Sequence, residues 1–376
     1  MKKILVVDDS ALMRRVIFDI INTDEELHAE RYAVNGLDAL EILQSGEKFD
    51  AIVLDINMPK MNGIEFLREL KMRGMNEKVL IVSTLAREGA KETIQALELG
   101  AFDFVTKPDS LAEAKGPSFS KRLIGMIHAA TNLSTADVSD DEKQTVQKTE
   151  RNQKVLVRER IPFTKKVLKG DISKHSKKPM GEKARKIVAL ACSTGGPKAL
   201  QYVIPFLPKN LDAAVLLVQH MPEGFTASLS NRLDELSQIN VVEAEHGMLL
   251  ERGTVYIAKG GSQMRLVEKG KREHTLSVTV EAARNGLKPC ADIMYESLMK
   301  SSFDEITCVV LTGMGADGTK GILQLEQTNK IYVIAQDEES STVYGMPKAI
   351  AVAKAVDEVV TLRKIADAIT KHVGVR

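Results

Sequence analysis

Two kinds of hydrophobic run alternate along most of the chain. Short, mainly apolar runs occupy Ile4 to Val7, Ala51 to Leu54, Val79 to Val82, Phe102 to Thr106, Ile187 to Cys192, Ala213 to Gln219 and Ile306 to Leu311. Runs of this length and composition fit strands buried on both faces of a parallel sheet. Between them apolar positions recur at helical spacing, as in Ala11 to Ile21, Gly36 to Gln44, Ile64 to Arg73 and Pro197 to Phe206. Alternating strands and helices predict an α/β protein with two doubly wound parallel-sheet domains. The periodicity fades from Ser134, where Asp140, Asp141 and Glu142 give way to Lys165, Lys166, Lys169, Lys174, Lys177, Lys178 and Lys183. With few aromatic residues this stretch cannot build a core, so a flexible basic linker is expected over 131–183. It separates a first domain at 1–130 from a second at 184–376. The lysines suit a solvated spacer better than a site for an acidic partner or membrane surface.

Composition narrows this picture without redirecting it. A chain of 376 residues exceeds what one hydrophobic core usually serves, in keeping with two domains. Its formal net charge of +1 gives no global reason to expect a nucleic-acid partner or an acidic membrane surface. Cys192, Cys290 and Cys308 lack metal-like spacing, and an odd count argues against a disulfide framework. No apolar run approaches membrane-spanning length, and Met1-Lys2-Lys3 leads straight into a strand rather than a signal peptide. A reducing cytoplasm is the expected compartment.

In the first domain the polar residues fall where the strands end. Asp8, Asp9 and Ser10 follow the first run, Asp55 the second, Ser83 and Thr84 the third, and Lys107-Pro108 the fourth. At one sheet edge three carboxylates would converge, and a divalent cation such as Mg²⁺ would offset their repulsion. Asp55 is then a nucleophile towards a phosphoryl donor, with Lys107 and Ser83 as partners for the new charge. Lys107-Pro108 is an expected cis peptide, since X-Pro bonds take that form at low cost.

The segments Leu5-Val6-Val7-Asp8-Asp9-Ser10, Asp55 through Gly63 and Gly100 through Pro108 resemble the receiver domain of two-component response regulators. The resemblance implies a flavodoxin-like fold and Mg²⁺-dependent phosphorylation of Asp55 by a histidine kinase. Asp8, Asp9, Asp55 and the carbonyl of Asn57 would hold the metal. Ser83 would be the switch hydroxyl in preference to Thr84, and Phe104 takes the family's switch-aromatic position.

In the second domain Ile187 to Cys192 runs into Ser193-Thr194-Gly195-Gly196-Pro197, a turn leading to a helix. Ser193 is either a helix cap or a nucleophile. The next strand ends in His220, and neighbouring parallel strands lie about 4.8 Å apart, so the two residues can meet. A third strand leads into Thr312-Gly313-Met314-Gly315-Ala316-Asp317-Gly318. Ser193, His220 and Asp317 would make a nucleophile, base and orienting carboxylate, with backbone N–H groups of Thr194 and Met314 as oxyanion donors. The order Ser, His, Asp differs from that of α/β-hydrolases, and the turn lacks their G-x-S-x-G elbow. No Walker lysine is present to support nucleotide binding. Strand alternation turns Cys192 away from Ser193 and into the core.

Together with Tyr256-Ile257-Ala258, Ala335 through Glu338 and Val343 through Ala349, these segments resemble the catalytic domain of chemotaxis protein-glutamate methylesterases, the CheB family. The resemblance implies a Rossmann-like domain that hydrolyses glutamate methyl esters on chemoreceptor helices and deamidates glutamines. No cofactor is expected in that site. The implied partners are methylated chemoreceptors and the chemotaxis histidine kinase CheA, without nucleic acid, and with membrane contact only through receptors. Ala191, Cys192, Lys259 and His246 depart from the family's usual residues. A receiver lying across the Ser193 site would restrain it until Asp55 is phosphorylated. The competing reading is a receiver tethered to a non-catalytic binding module; a DNA-binding regulator has less support, because no helix-turn-helix pattern stands out.

Overall fold

The computed structural model describes residues 1–131, except Leu85, Asp109 and Lys115, and residues 182–376, except Lys271 and Arg272. The expected basic linker thus lies almost wholly outside the described residues.

The first sheet is built from β1 (Lys2–Val7), β2 (Leu27–Ala33), β3 (Ala51–Asp55), β4 (Val79–Ser83) and β5 (Asp103–Thr106). The connecting helices are α1 (Ala11–Ile21), α2 (Gly36–Gln44), α3 (Gly63–Met72), α4 (Arg87–Leu99), α5 (Leu111–Ala114) and α6 (Pro117–Thr131). All strands are parallel, in the order β2-β1-β3-β4-β5. Alternate residues of β1 serve opposite layers: Leu5 and Val7 pack into one core, Ile4 and Val6 into the other. That division is why the strand reads as one unbroken apolar run. Edge strand β2 is different, burying Leu27, Ala29 and Ala33 while exposing His28, Glu30, Arg31 and Tyr32, and its polar content hid it from the hydrophobic pattern.

The second sheet comprises β6 (Lys186–Cys192), β7 (Ala214–Gln219), β8 (Asn240–Glu243), β9 (Thr254–Ile257), β12 (Glu305–Val310), β13 (Ile331–Gln336) and β14 (Glu358–Val360). Its order is β14-β13-β12-β6-β7-β9-β8, again all parallel. A separate antiparallel ladder pairs β10 (Gln263–Glu268) with β11 (His274–Thr279). Helices α7 (Gly196–Leu200), α8 (Phe225–Leu236), α9 (Ala291–Glu296), α10 (Thr319–Glu326), α11 (Met346–Val352) and α12 (Ile365–Val373) complete the domain. Strand order reverses between β6 and β12, so a crevice opens at their carboxyl ends, where α/β sheets bind ligands.

Two expectations are corrected. The helix expected from Pro197 to Phe206 stops at Leu200 and resumes as a 3₁₀ turn over Ile204–Phe206. Pro205 lacks the N–H that a continuing helix would bond to Gln201, and its ring would clash with that carbonyl. The cis X-Pro bond among the described residues is Lys288–Pro289, and Lys107–Pro108 is trans. The low cost of a cis X-Pro bond applies at every proline, and the surrounding structure selects which one adopts it.

Candidate active site and phosphoacceptor site

Ser193 follows β6 directly, His220 follows β7, and Asp317 sits in the loop after β12. Cys192 pairs with Gln219 in the β6–β7 register, and the His220 N–H extends the ladder to the Cys192 carbonyl at 3.2 Å. Ser193 and His220 are therefore neighbours across two adjacent strand ends. His220 Nε2 lies 2.8 Å from Asp317 Oδ2. With Nε2 committed there, Nδ1 is the nitrogen left to serve Ser193. Among the described residues the His220–Asp317 pair is formed and Ser193 stands beside it, with no hydrogen bond linking Ser193 Oγ to His220. Gly313 is pressed against the serine: a Cβ built on it would fall 2.8 Å from Ser193 Cβ. The backbone N–H groups of Thr194 and Met314 have no acceptor among the described residues.

The pattern reading missed what holds Asp317. Its carboxylate accepts from Ala291 N–H at 2.6 Å, Asp292 N–H at 3.1 Å and the Cys290 thiol at 3.1 Å, all from the start of α9. Burial alone would raise its pKa, but His220 and these N–H groups outweigh it and hold the carboxyl down at about 2. Asp292 in turn accepts from Gly318 N–H at 2.9 Å and Gly321 N–H at 2.7 Å, pinning the loop that presents Asp317 to the start of α10. Burial pushes the thiol of Cys290 up to about 12, so it stays protonated and able to donate. Cys192 is fully buried, as strand alternation requires.

In the first domain Asp8, Asp9 and Asp55 each offer an oxygen within 4.8 Å of the others. Lys107 Nζ lies 2.9 Å from Asp8 Oδ2 and 2.7 Å from Asp55 Oδ2. Asp55 is 6% exposed, and burial raises its pKa, with Lys107 opposing and Asp8 adding to the rise. A set of hard oxygen donors with more negative charge than one ammonium can offset suits Mg²⁺. Asn57 is exposed at the same edge. Ser83 is buried and turned into α4, where its hydroxyl donates to the Gly89 carbonyl at 3.3 Å and accepts from Thr93 at 2.8 Å. Thr84 is exposed.

Phe104 of β5 turns its ring onto the second domain. It stacks on Phe225 of α8 with ring centroids 4.7 Å apart and an interplanar angle of 10°. Beside it, Asp103 Oδ2 accepts the Gly195 N–H at 3.0 Å, two residues beyond Ser193. Burial raises the Asp103 pKa to about 6 against the N–H groups of Phe104 and Gly195, leaving the group ionised at neutral pH. Arg232 of α8 completes the contact with Glu98 of α4, its Nη2 at 3.2 Å. A carboxylate of the first domain thus occupies a backbone donor in the turn that carries Ser193.

Residues 4–115 match the response regulator receiver domain family, and residues 188–369 match the CheB methylesterase family. A protein-glutamate methylesterase/protein-glutamine glutaminase of Bacillus subtilis is 39% identical over 375 residues, covering 99% of each chain. A relative from Syntrophomonas wolfei bearing the same designation is 39% identical over 369 residues, covering 97% of each. The crystal structure of the Thermotoga maritima CheB methylesterase catalytic domain covers 50% of this chain and 98% of its own, at 38% identity and a TM-score of 0.48. Receiver and methylesterase domains in one chain, with relatives of this identity along its whole length, place the protein in the CheB family of chemotaxis protein-glutamate methylesterases/protein-glutamine glutaminases.

Proposed function

We propose that this chain hydrolyses glutamate methyl esters on chemoreceptors through Ser193, His220 and Asp317, and that phosphorylation of Asp55 switches the reaction on. Ser193 Oγ attacks the ester carbonyl carbon while His220 Nδ1 takes its proton, and Asp317 stabilises the resulting imidazolium through Nε2. Thr194 and Met314 N–H groups receive the negative charge that develops on the carbonyl oxygen. Collapse expels the methoxy group, which leaves as methanol with the proton from His220, and an acyl-serine remains. Water, deprotonated by His220, attacks that ester and releases the glutamate carboxylate and free Ser193. A glutamine side chain follows the same route with ammonia as the leaving group. The observation that carries this reading is the His220–Asp317 pair at the sheet edge that also presents Ser193. The Ser193–His220 bond has yet to close, and a small side-chain movement there is part of the proposal.

On the receiver side Mg²⁺ would be held by Asp8, Asp9, Asp55 and the carbonyl of Asn57, and when bound it would neutralise phosphoryl oxygens. Lys107 balances the acyl-phosphate charge on Asp55. Ser83 would leave Gly89 and Thr93 to bond a phosphoryl oxygen, and that movement of β4 and α4 would loosen Phe104 from Phe225. The donor is a histidine kinase, in this setting CheA, and the substrates are methylated chemoreceptors. Among the described residues no helix is long and apolar enough to cross a membrane. We place the enzyme in the cytoplasm, meeting membranes only through its receptors and binding no nucleic acid, in three parts: receiver 1–130, linker 131–183 and methylesterase domain 184–376.

The test is methanol release from a methylated receptor fragment by the intact chain and by Ser193→Ala. Release that disappears in the variant is expected. Release that persists would overturn the triad, and no release from either protein would favour a tethered binding module.

A further inference from the structure

We propose that Gln219 is a positioning residue for the oxyanion hole, holding the Ser193 carbonyl so that the Thr194 N–H faces the reacting ester. The inference rests on the triad reading above and deepens it. Gln219 ends β7 and is 2% exposed, a carboxamide in a strand that is otherwise apolar. Its Nε2 donates to the Ser193 carbonyl at 3.0 Å and to the His220 carbonyl at 3.3 Å. Its Oε1 accepts the Cys192 thiol at 3.0 Å. Burial raises the Cys192 pKa, so the thiol keeps the proton it donates. One side chain therefore ties the residue bearing the nucleophile to the residue bearing the base and to Cys192 at the end of β6.

The peptide bond makes this tie consequential. In a planar trans peptide the C=O of one residue and the N–H of the next point in opposite directions. Drawing the Ser193 carbonyl onto Gln219 turns the Thr194 N–H the other way, where no acceptor among the described residues takes it. The peptides on either side have their own anchors in Thr312. The Thr312 carbonyl accepts Ser193 N–H at 3.0 Å, and its hydroxyl donates to the Thr194 carbonyl at 3.0 Å. The peptide between them is held through its carbonyl alone, by Gln219 and by Gly196 N–H at 2.7 Å. Gly196 also makes the space: a Cβ there would fall 1.9 Å from Gln219 Oε1 and 3.1 Å from Cys192 Sγ. The buried carboxamide has both its ends hydrogen-bonded, and a methionine in its place would leave the Ser193 carbonyl without this donor.

The experiment uses the full chain, activated with a small phosphodonor and Mg²⁺, and measures methanol release from methylated receptor fragments. Gln219→Met removes both donors, and Gly196→Ala displaces the carboxamide without altering it. Each is expected to lower kcat about 10²- to 10³-fold, the loss typical of one oxyanion donor. KM should stay within about two-fold, because the donor acts on charge that appears only in the transition state. The pH midpoint of kcat/KM should not move, since the His220 imidazole and its bond to Asp317 are untouched. A folded Gln219→Met or Gly196→Ala with near-normal kcat, or a loss confined to KM, would overturn the inference. If Gln219→Met does not fold, Gly196→Ala decides alone. Ser193→Ala separates the two levels: wild-type release in that variant sinks the triad itself, whereas its inactivity beside an active Gln219→Met sinks only the role of Gln219.

Discussion

Asp317 stays ionised in a buried place because a histidine and two backbone N–H groups face it. That arrangement has a measurable signature. A carboxyl at about 2 in the folded chain, against 3.8 for the free group, stabilises the fold above pH 4. The contribution is lost as the pH falls through about 2, and it amounts to about 2 kcal/mol. Urea unfolding at several pH values should therefore show the stability advantage of the native chain over Asp317→Asn shrinking by that amount between pH 5 and pH 2. A constant gap would mean that Asp317 is not held as described. At this scale Ser193, His220 and Asp317 were legible because each ends or follows a strand, and strand ends of a parallel sheet meet. Cys290, Asp292 and Gln219 were not. Cys290 stands 27 positions from Asp317, and only the packing of α9 against the loop after β12 brings the two together.

Among the elements, α9 and α10 work as a pair through one side chain. Asp292 accepts two N–H groups from the loop and first turn of α10, and leaving both buried donors unmatched costs about 3 kcal/mol. Asp292→Ala should lower the denaturation midpoint accordingly and reduce esterase activity by letting Asp317 drift from His220. Unchanged stability would show that the loop holds its shape unaided. Strands buried on both faces could be read from the sequence as apolar runs, and β1, β3, β4, β6, β7 and β12 all have that form. Strand β2 could not, because an edge strand with one solvated face carries too many polar residues to stand out. The helix after Ser193 was overextended because helical spacing continued to Phe206, although Pro205 cannot supply the N–H that a helix running on past Leu200 would need.

The whole molecule sets a receiver carboxylate and a receiver aromatic against the esterase domain close to Ser193. An aromatic stack of this kind contributes about 1 kcal/mol beyond the area it buries. Phe104→Ala should then raise methanol release by the unphosphorylated chain about five-fold, the factor that such an energy gives in an equilibrium. Asp103→Ala should act in the same direction by freeing the Gly195 N–H. Activity unchanged in both variants would show that the contact does not restrain the site. The receiver and esterase motifs could be recognised separately in the sequence, but the pairing of Asp103 with Gly195 could not, since it depends on how two finished domains dock.

The central claim is that Ser193 performs the chemistry and Asp55 governs it. The most direct measurement is methanol release from methylated chemoreceptor by the intact chain, with and without a small phosphodonor and Mg²⁺, beside Asp55→Asn and Ser193→Ala. Release that rises with the donor, stays at its basal rate in Asp55→Asn and vanishes in Ser193→Ala is the predicted result. Release indifferent to the donor, or surviving in Ser193→Ala, would contradict it.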